Sequence, residues 1–157
     1  MLINEVCDLF SEKKIPYAIV GGYAVSLHGA VRGTFDIDFV TRWTLGNLKK
    51  IEMALNSLGL QSRLPISAED VFQFRDEYVK NRNLIAWQFI DVNRPDRQID
   101  IIITFDLTGK KTKNIKTGSG GIRLLSIDDL ITMKKQSGRP QDLEDIASLE
   151  QLKKENQ

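Results

Sequence analysis

Apolar residues recur at Leu2, Val6, Leu9 and Phe10, the spacing of one helix face, so residues 2–13 are predicted to be an amphipathic helix closed before Pro16. The run "YAIV" (17–20) predicts a short buried strand that ends at Gly21-Gly22. Residues 23–29 are expected to form a brief helix with Tyr23, Ala24 and Leu27 inward, and the sharply alternating "FDIDFVT" (35–41) predicts a strand. Thr44 then caps a helix carrying Leu45, Leu48, Ile51, Leu55 and Leu58 on one face, with Gly59 as its stop. Ser67 and Asp70 have the spacing of a capping box, opening a helix to about Lys80.

Two further strands are predicted at 84–91 and 98–105, joined by the turn-rich "VNRPDR" as a hairpin. Residues 106–121 read as a loop rich in glycine and lysine, and "IRLLS" as a short strand. Ser126 and Asp129 repeat the capping box for a helix ending near Ser137-Gly138, and Pro140 opens a last helix to about Lys153. No repeat, heptad array or linker interrupts this order. The expectation is one domain over 1–157, with a core of about 15–150, of the α/β (α+β) class with a mixed sheet.

Composition narrows the partners more than the fold. A 157-residue chain buries ~68–70% of the surface its unfolded form exposes, and 41% hydrophobic with 27% charged residues is ordinary for a globular domain. Lys plus Arg number 22 against 21 Asp plus Glu, so any polyanion site must be local. The single Cys7 excludes an intrachain disulfide and suits a reducing cytoplasm. No stretch approaches ~18 apolar residues and no signal-peptide core opens the chain, so a cytoplasmic protein with no membrane partner is expected.

Candidate chemistry starts with acids in apolar strands. Strand side chains alternate, so Asp36 and Asp38 share one face while Ile37 and Phe39 take the other. Two carboxylates on one face repel unless water, a proton or a cation relieves them, and Mg²⁺ prefers such oxygens while keeping places for phosphate and water. Asp100 is a third acid, between the packed Ile99 and Ile101. If its strand lies beside 35–41, three carboxylates converge, enough to hold two ions about 3.5–4 Å apart for phosphoryl-type transfer. The bland alternative is an exposed sheet face with incidental acids.

Upstream, Gly21 and Gly22 stand between a strand and a helix, where bare backbone amides can accept phosphate oxygens; a plain tight turn is the alternative. Arg32 is within reach of a polyphosphate, with Gly33 and Thr34 turning the chain into the strand.

A strand, Gly-Gly at a helix start, then Arg-x-Thr-x-Asp-x-Asp resembles the nucleotidyltransferase superfamily of the polymerase-beta type. The form "GGYAVSLHGAVRGTFDIDF" is most similar to its minimal AbiEii-like branch, which includes toxins of bacterial toxin–antitoxin pairs. That branch tends to carry a C-terminal Lys-x4-Arg-x2-Asp-x2-Asp, matched here by Lys134, Arg139, Asp142 and Asp145. The resemblance implies a curved mixed sheet flanked by helices, and nucleotide transfer from a nucleoside triphosphate to an acceptor hydroxyl of protein or RNA. By the same resemblance Gly21, Gly22, Arg32 and Lys134 would hold the triphosphate. Asp36, Asp38 and Asp100 would be the catalytic, Mg²⁺-binding acids, with Asp100 helping to activate the acceptor. Many members have Ser where Gly22 stands; Gly-Gly reads as a mark of the branch. Residues 60–95 carry no matching motif, and the absence of an extra helical domain tells against a large RNA acceptor.

The C-terminal charges have a structural reading too, because Lys134 and Lys135 suit a helix end and Asp142 and Asp145 the next helix start. Asp142 and Asp145 are expected to order Arg139. "GKKT" (109–112) lacks the earlier glycine of a phosphate loop, since Thr104 stands there. Lys110, Lys111, Lys113 and Lys116 make the densest basic run, read as a solvated loop with nucleic-acid or acidic-protein contact as the functional alternative. His28 has no partner histidine for a zinc site; Trp87, Phe89 and Cys7 are expected in the core and Trp43 half exposed. The competing class is a non-catalytic nucleotide- or partner-binding module, an antitoxin or regulator that keeps the fold.

Overall fold

A computed structural model of the chain describes residues 1–30, 36–117 and 120–156. The first amphipathic stretch forms α1 (Leu2–Glu12), with Ile3, Val6, Cys7 and Phe10 buried on one side. The Ile15 amide donates to the Phe10 carbonyl at 2.8 Å, turning the chain through Lys14 at φ 56° into β1 (Ala18–Val20). α2 (Gly21–Leu27) follows without a linker, burying Gly22, Ala24 and Val25. The part of the 35–41 strand that forms is β2 (Asp38–Val40); Phe35 lies outside the described residues, as do Arg32, Gly33 and Thr34. In α3 (Leu45–Ser57) the Thr44 side chain accepts the Asn47 amide, as its capping position predicts.

The structure corrects three expectations. A two-residue strand, β3 (Gln61–Ser62), stands where none was predicted. The helix expected from Ser67 to Lys80 has its capping box, but Phe74 divides it into α4 (Ala68–Gln73) and α5 (Arg75–Arg82). A tertiary tie accompanies the break: Arg75 Nε donates to the Ile103 carbonyl at 2.6 Å and the guanidinium stacks 4.4 Å over the Trp43 ring. The segment read as a lysine-rich loop contains β6 (Thr112–Thr117), paired antiparallel with β7 (Gly120–Leu125). With one edge of β7 on β1, its other edge needs hydrogen-bond partners, and β6 supplies them. Lys113 and Lys116 then sit on a sheet edge, where charge discourages further pairing.

β4 (Ala86–Asp91) and β5 (Arg94–Ile102) make the predicted hairpin, which is tighter than expected, with Asp91 opposite Arg94 and its Oδ1 accepting the Asn93 and Arg94 amides. Ser126 caps α6 (Ile127–Ser137), Gly138 ends it at φ 63°, and α7 (Pro140–Glu155) packs back on it.

The strands form one mixed sheet in the order β3-β4-β5-β2-β1-β7-β6, parallel at β2–β5 and β1–β7 and antiparallel elsewhere. This is the mixed α/β architecture expected. Trp87, Phe89, Ile99 and Ile101 are buried on one face of the β4–β5 hairpin, whereas Gln88, Gln98, Asp100 and Ile102 on the other are half-buried. Phe10, Tyr17 and Phe39 form an aromatic cluster with ring centroids 5.3–5.7 Å apart, tying α1 to the centre of the sheet. Among the described residues no helix is long and apolar enough to cross a membrane.

Candidate active site

The register of two parallel strands decides the site. Asp38 of β2 is the Cα partner of Asp100 on β5, and the Asp100 amide donates to the Ile37 carbonyl at 3.0 Å. Partners in a ladder point to the same face, so residues 62 positions apart place their carboxyls together. Gln88, opposite Asp100 on β4, favours the charged form of that carboxyl. Gln88 also accepts from Arg63 at 2.8 Å and donates to Gln98 at 3.0 Å. No expectation included Gln88, although period-two alternation about Trp87 and Phe89 would have put it on the acidic face.

The glycine pair meets these acids from above. Gly21 has φ +69° and Val20 pairs with Asp38, so the turn lies directly over the Asp38 carboxylate. A Cβ on Gly21 would collide with a carboxylate oxygen of Asp38 and come within 3.0 Å of its Cγ. Only glycine satisfies both the left-handed backbone and this approach. Gly22, in contrast, is buried in the first turn of α2.

Burial pushes the Asp38 carboxyl up, and the charges of Asp100 and Asp36 and a hydrogen bond with Asp100 push it further, to about 7 against the opposing pull of Lys134. Burial also raises Asp100, helped by the charge of Asp36 and opposed by its bonds to Gln88 and Asp38. The two carboxyls therefore titrate as a pair. Asp100 Oδ1 is buried and has no hydrogen-bond donor.

Asp36 is exposed and precedes the first ladder residue of β2, and its charge reaches the Asp38 carboxyl. Among the described residues no three His, Cys, Asp or Glu side chains form a ready metal cage, while the charge of Asp36 acts on both Asp38 and Asp100. The donor set that is present, two paired carboxylates with one undonated oxygen and a third acid in electrostatic reach, fits a hard divalent cation such as Mg²⁺.

A cleft of about 110 Å³ continues from Gly21 and Asp38 to Lys134 and Arg139, with Ile85, Ile102 and Met133 as its apolar side. Lys134 is buried and paired with Asp145 at 2.9 Å and Asp142 at 3.5 Å. Asp142 also accepts from the Arg139 backbone amide at 3.1 Å and from Arg139 Nε at 2.8 Å. Asp142 thus orders both Lys134 and Arg139 while Asp145 holds Lys134, and Arg139 (side chain 72% exposed) is the open cation at the cleft among the described residues. Burial pushes the Asp142 carboxyl up, but the bonds and charges of Arg139 and Lys134 outweigh it and hold it below the usual range. His28 Nε2 lies 2.8 Å from the Leu125 carbonyl, outside the cleft.

No family model matches the chain, and no curated protein sequence matches it. Solved structures do. The antibiotic-resistance factor ANT(2'')-Ia in solution superposes with TM-score 0.60 at 14% identity, over 94% of this chain and 80% of that one. A nucleotidyltransferase-like protein from Paracoccidioides brasiliensis gives 0.60 at 15% identity, over 94% and 72%. The lincomycin-bound lincosamide antibiotic adenylyltransferase LnuA gives 0.57 at 17% identity, over 92% of both chains. The chain has the nucleotidyltransferase fold.

Proposed function

We propose that this protein is a Mg²⁺-dependent nucleotidyltransferase that moves a nucleotide from a nucleoside triphosphate to an acceptor hydroxyl. The observation that carries the reading is the in-register pair Asp38–Asp100 beneath the left-handed Gly21 turn, on a fold that nucleotidyltransferases share. Asp38 and Asp100, joined by Asp36, would hold the metal, which when bound screens phosphate charge and polarises the phosphorus–oxygen bonds. The Gly21 and Gly22 amides, with Lys134 and Arg139, take the triphosphate, and Arg32 is the further cation for it. The acceptor oxygen bonds to the α-phosphorus as its proton passes to the Asp100 carboxylate; the bond to the β-phosphate oxygen breaks and pyrophosphate leaves.

Two acceptor classes follow from different observations. The AbiEii-like residue pattern favours a hydroxyl of a protein or RNA within a toxin–antitoxin pair, with a cognate partner. The neighbours favour a small hydroxylated molecule: one was solved with adenylyl-2"-tobramycin and another with lincomycin, and the chain spans 85% and 92% of their lengths. Labelled nucleoside triphosphates with Mg²⁺ are incubated with lysate and, separately, with tobramycin and lincomycin. Label should move to one acceptor class with the native chain and not with Asp38→Asn. Equal labelling by both chains would overturn the proposal, and tight nucleotide binding without turnover would favour the non-catalytic module.

A further inference from the structure

A second charged pocket lies at the other end of the central strands. Tyr17 precedes β1 and Arg42 follows β2, whereas Gly21 and Asp38 occupy the opposite ends of the same two strands. Four residues at about 3.3 Å each put the two ends roughly 13 Å apart. Lys14, Arg42 and Arg123 line this pocket of about 300 Å³ together with Ser11, Pro16 and Tyr17, and among the described residues no acidic side chain lines it. Among the described residues none of the three cations is ion-paired. Arg123 is held in place: Nε donates to Asn114 Oδ1 at 3.3 Å and the guanidinium carbon sits 5.7 Å over the Tyr17 ring. That arrangement leaves the Nη ends of a positioned fork for a ligand, the geometry that suits phosphate.

We propose that Lys14, Arg42 and Arg123 form a binding pocket for a phosphate-bearing ligand, separate from the carboxylate site. Cations that line one pocket with no acid among them repel one another, and a multivalent anion between them turns each repulsion into attraction. The ligand is either a free oligophosphate or the backbone of a single-stranded nucleic acid, since both present the same oxygens to an arginine fork.

The test is a residue-resolved NMR titration of the full ¹⁵N-labelled chain with inorganic pyrophosphate and, separately, with a short single-stranded RNA. Amides of residues 14, 15, 17, 42 and 123 should shift and saturate. Saturation with pyrophosphate identifies a free oligophosphate; saturation with RNA alone identifies a backbone. In the RNA case three contacts predict affinity falling about 20-fold between roughly 50 and 200 mM salt, with each removed charge lowering the log–log slope by about 0.7. Arg123→Gln disturbs packing on Tyr17, so Arg42→Gln and Lys14→Gly serve as milder variants; Lys14 has φ 56°, which glycine adopts without strain. The proposal fails if these amides stay unmoved by both ligands, or if Lys14→Gly and Arg42→Gln bind as the native chain does. An Asp38→Asn chain should keep this binding, so failure of the nucleotidyl-transfer proposal leaves this result readable.

Discussion

Replacing Asp38 with asparagine should stabilise the metal-free protein at alkaline pH while removing its activity. The folded Asp38 carboxyl sits at about 7 against an ordinary 3.8, because burial and the charges of Asp100 and Asp36 disfavour the anion. The folded state therefore keeps a proton that the unfolded chain has released between about pH 4 and 7. The stability this proton supplies is complete below about 3.8 and is lost as pH rises through 7. At about 1.4 kcal/mol per pH unit over roughly three units, ionised Asp38 costs about 4 kcal/mol at pH 8. Asparagine is isosteric and uncharged, so it should recover much of that cost, a rise of about 10 °C in Tm for a chain this long. The assay is thermal unfolding in a chelator from pH 4 to 9, with urea unfolding at pH 5 and 8 as a check. The native chain should weaken towards pH 8 more steeply than Asp38→Asn, which keeps only the pH dependence that burial gives Asp100. Parallel profiles, or a variant less stable than the native chain at pH 8, would refute the account of the carboxylate pair. Added Mg²⁺ should raise the native Tm most at pH 8 and leave Asp38→Asn unchanged.

Gly21→Ala combines a left-handed backbone with a Cβ driven into the Asp38 carboxylate, so it should lose about 2 kcal/mol in urea unfolding and all nucleotidyl transfer. Lys134→Met strands the buried Asp142 and Asp145 and should cost about 3–5 kcal/mol; adding Asp145→Asn should recover part of it, whereas an equal loss in the double variant would refute the ion-pair account. Asp36→Asn, at an exposed position before β2, should change stability by less than about 0.5 kcal/mol yet abolish Mg²⁺-dependent transfer in the labelling assay.

Local rules made much of this protein legible before any coordinates. Thr44, Ser67 and Ser126 open helices where a side-chain oxygen is needed for an orphan amide, because capping acts within three residues. Alternation about Trp87 and Phe89, and about Ile99 and Ile101, located two strands and their buried face. It also marked Asp38 and Asp100 as acids facing away from the core. What the residues alone left open was distance between segments. The lysine-rich stretch joined the sheet as β6 because β7 had an unpaired edge, a demand that arises only once β7 lies on β1. The break at Phe74 accompanies Arg75 reaching Ile103, 28 residues on. The parallel register of β2 and β5 likewise decided that Asp38 and Asp100 face each other while Asp36 falls outside the ladder. Helix caps and strand alternation depend on neighbours a few bonds away, so sequence specifies them; carboxylate contact and edge pairing depend on how the whole chain closes, so the tertiary structure decides them.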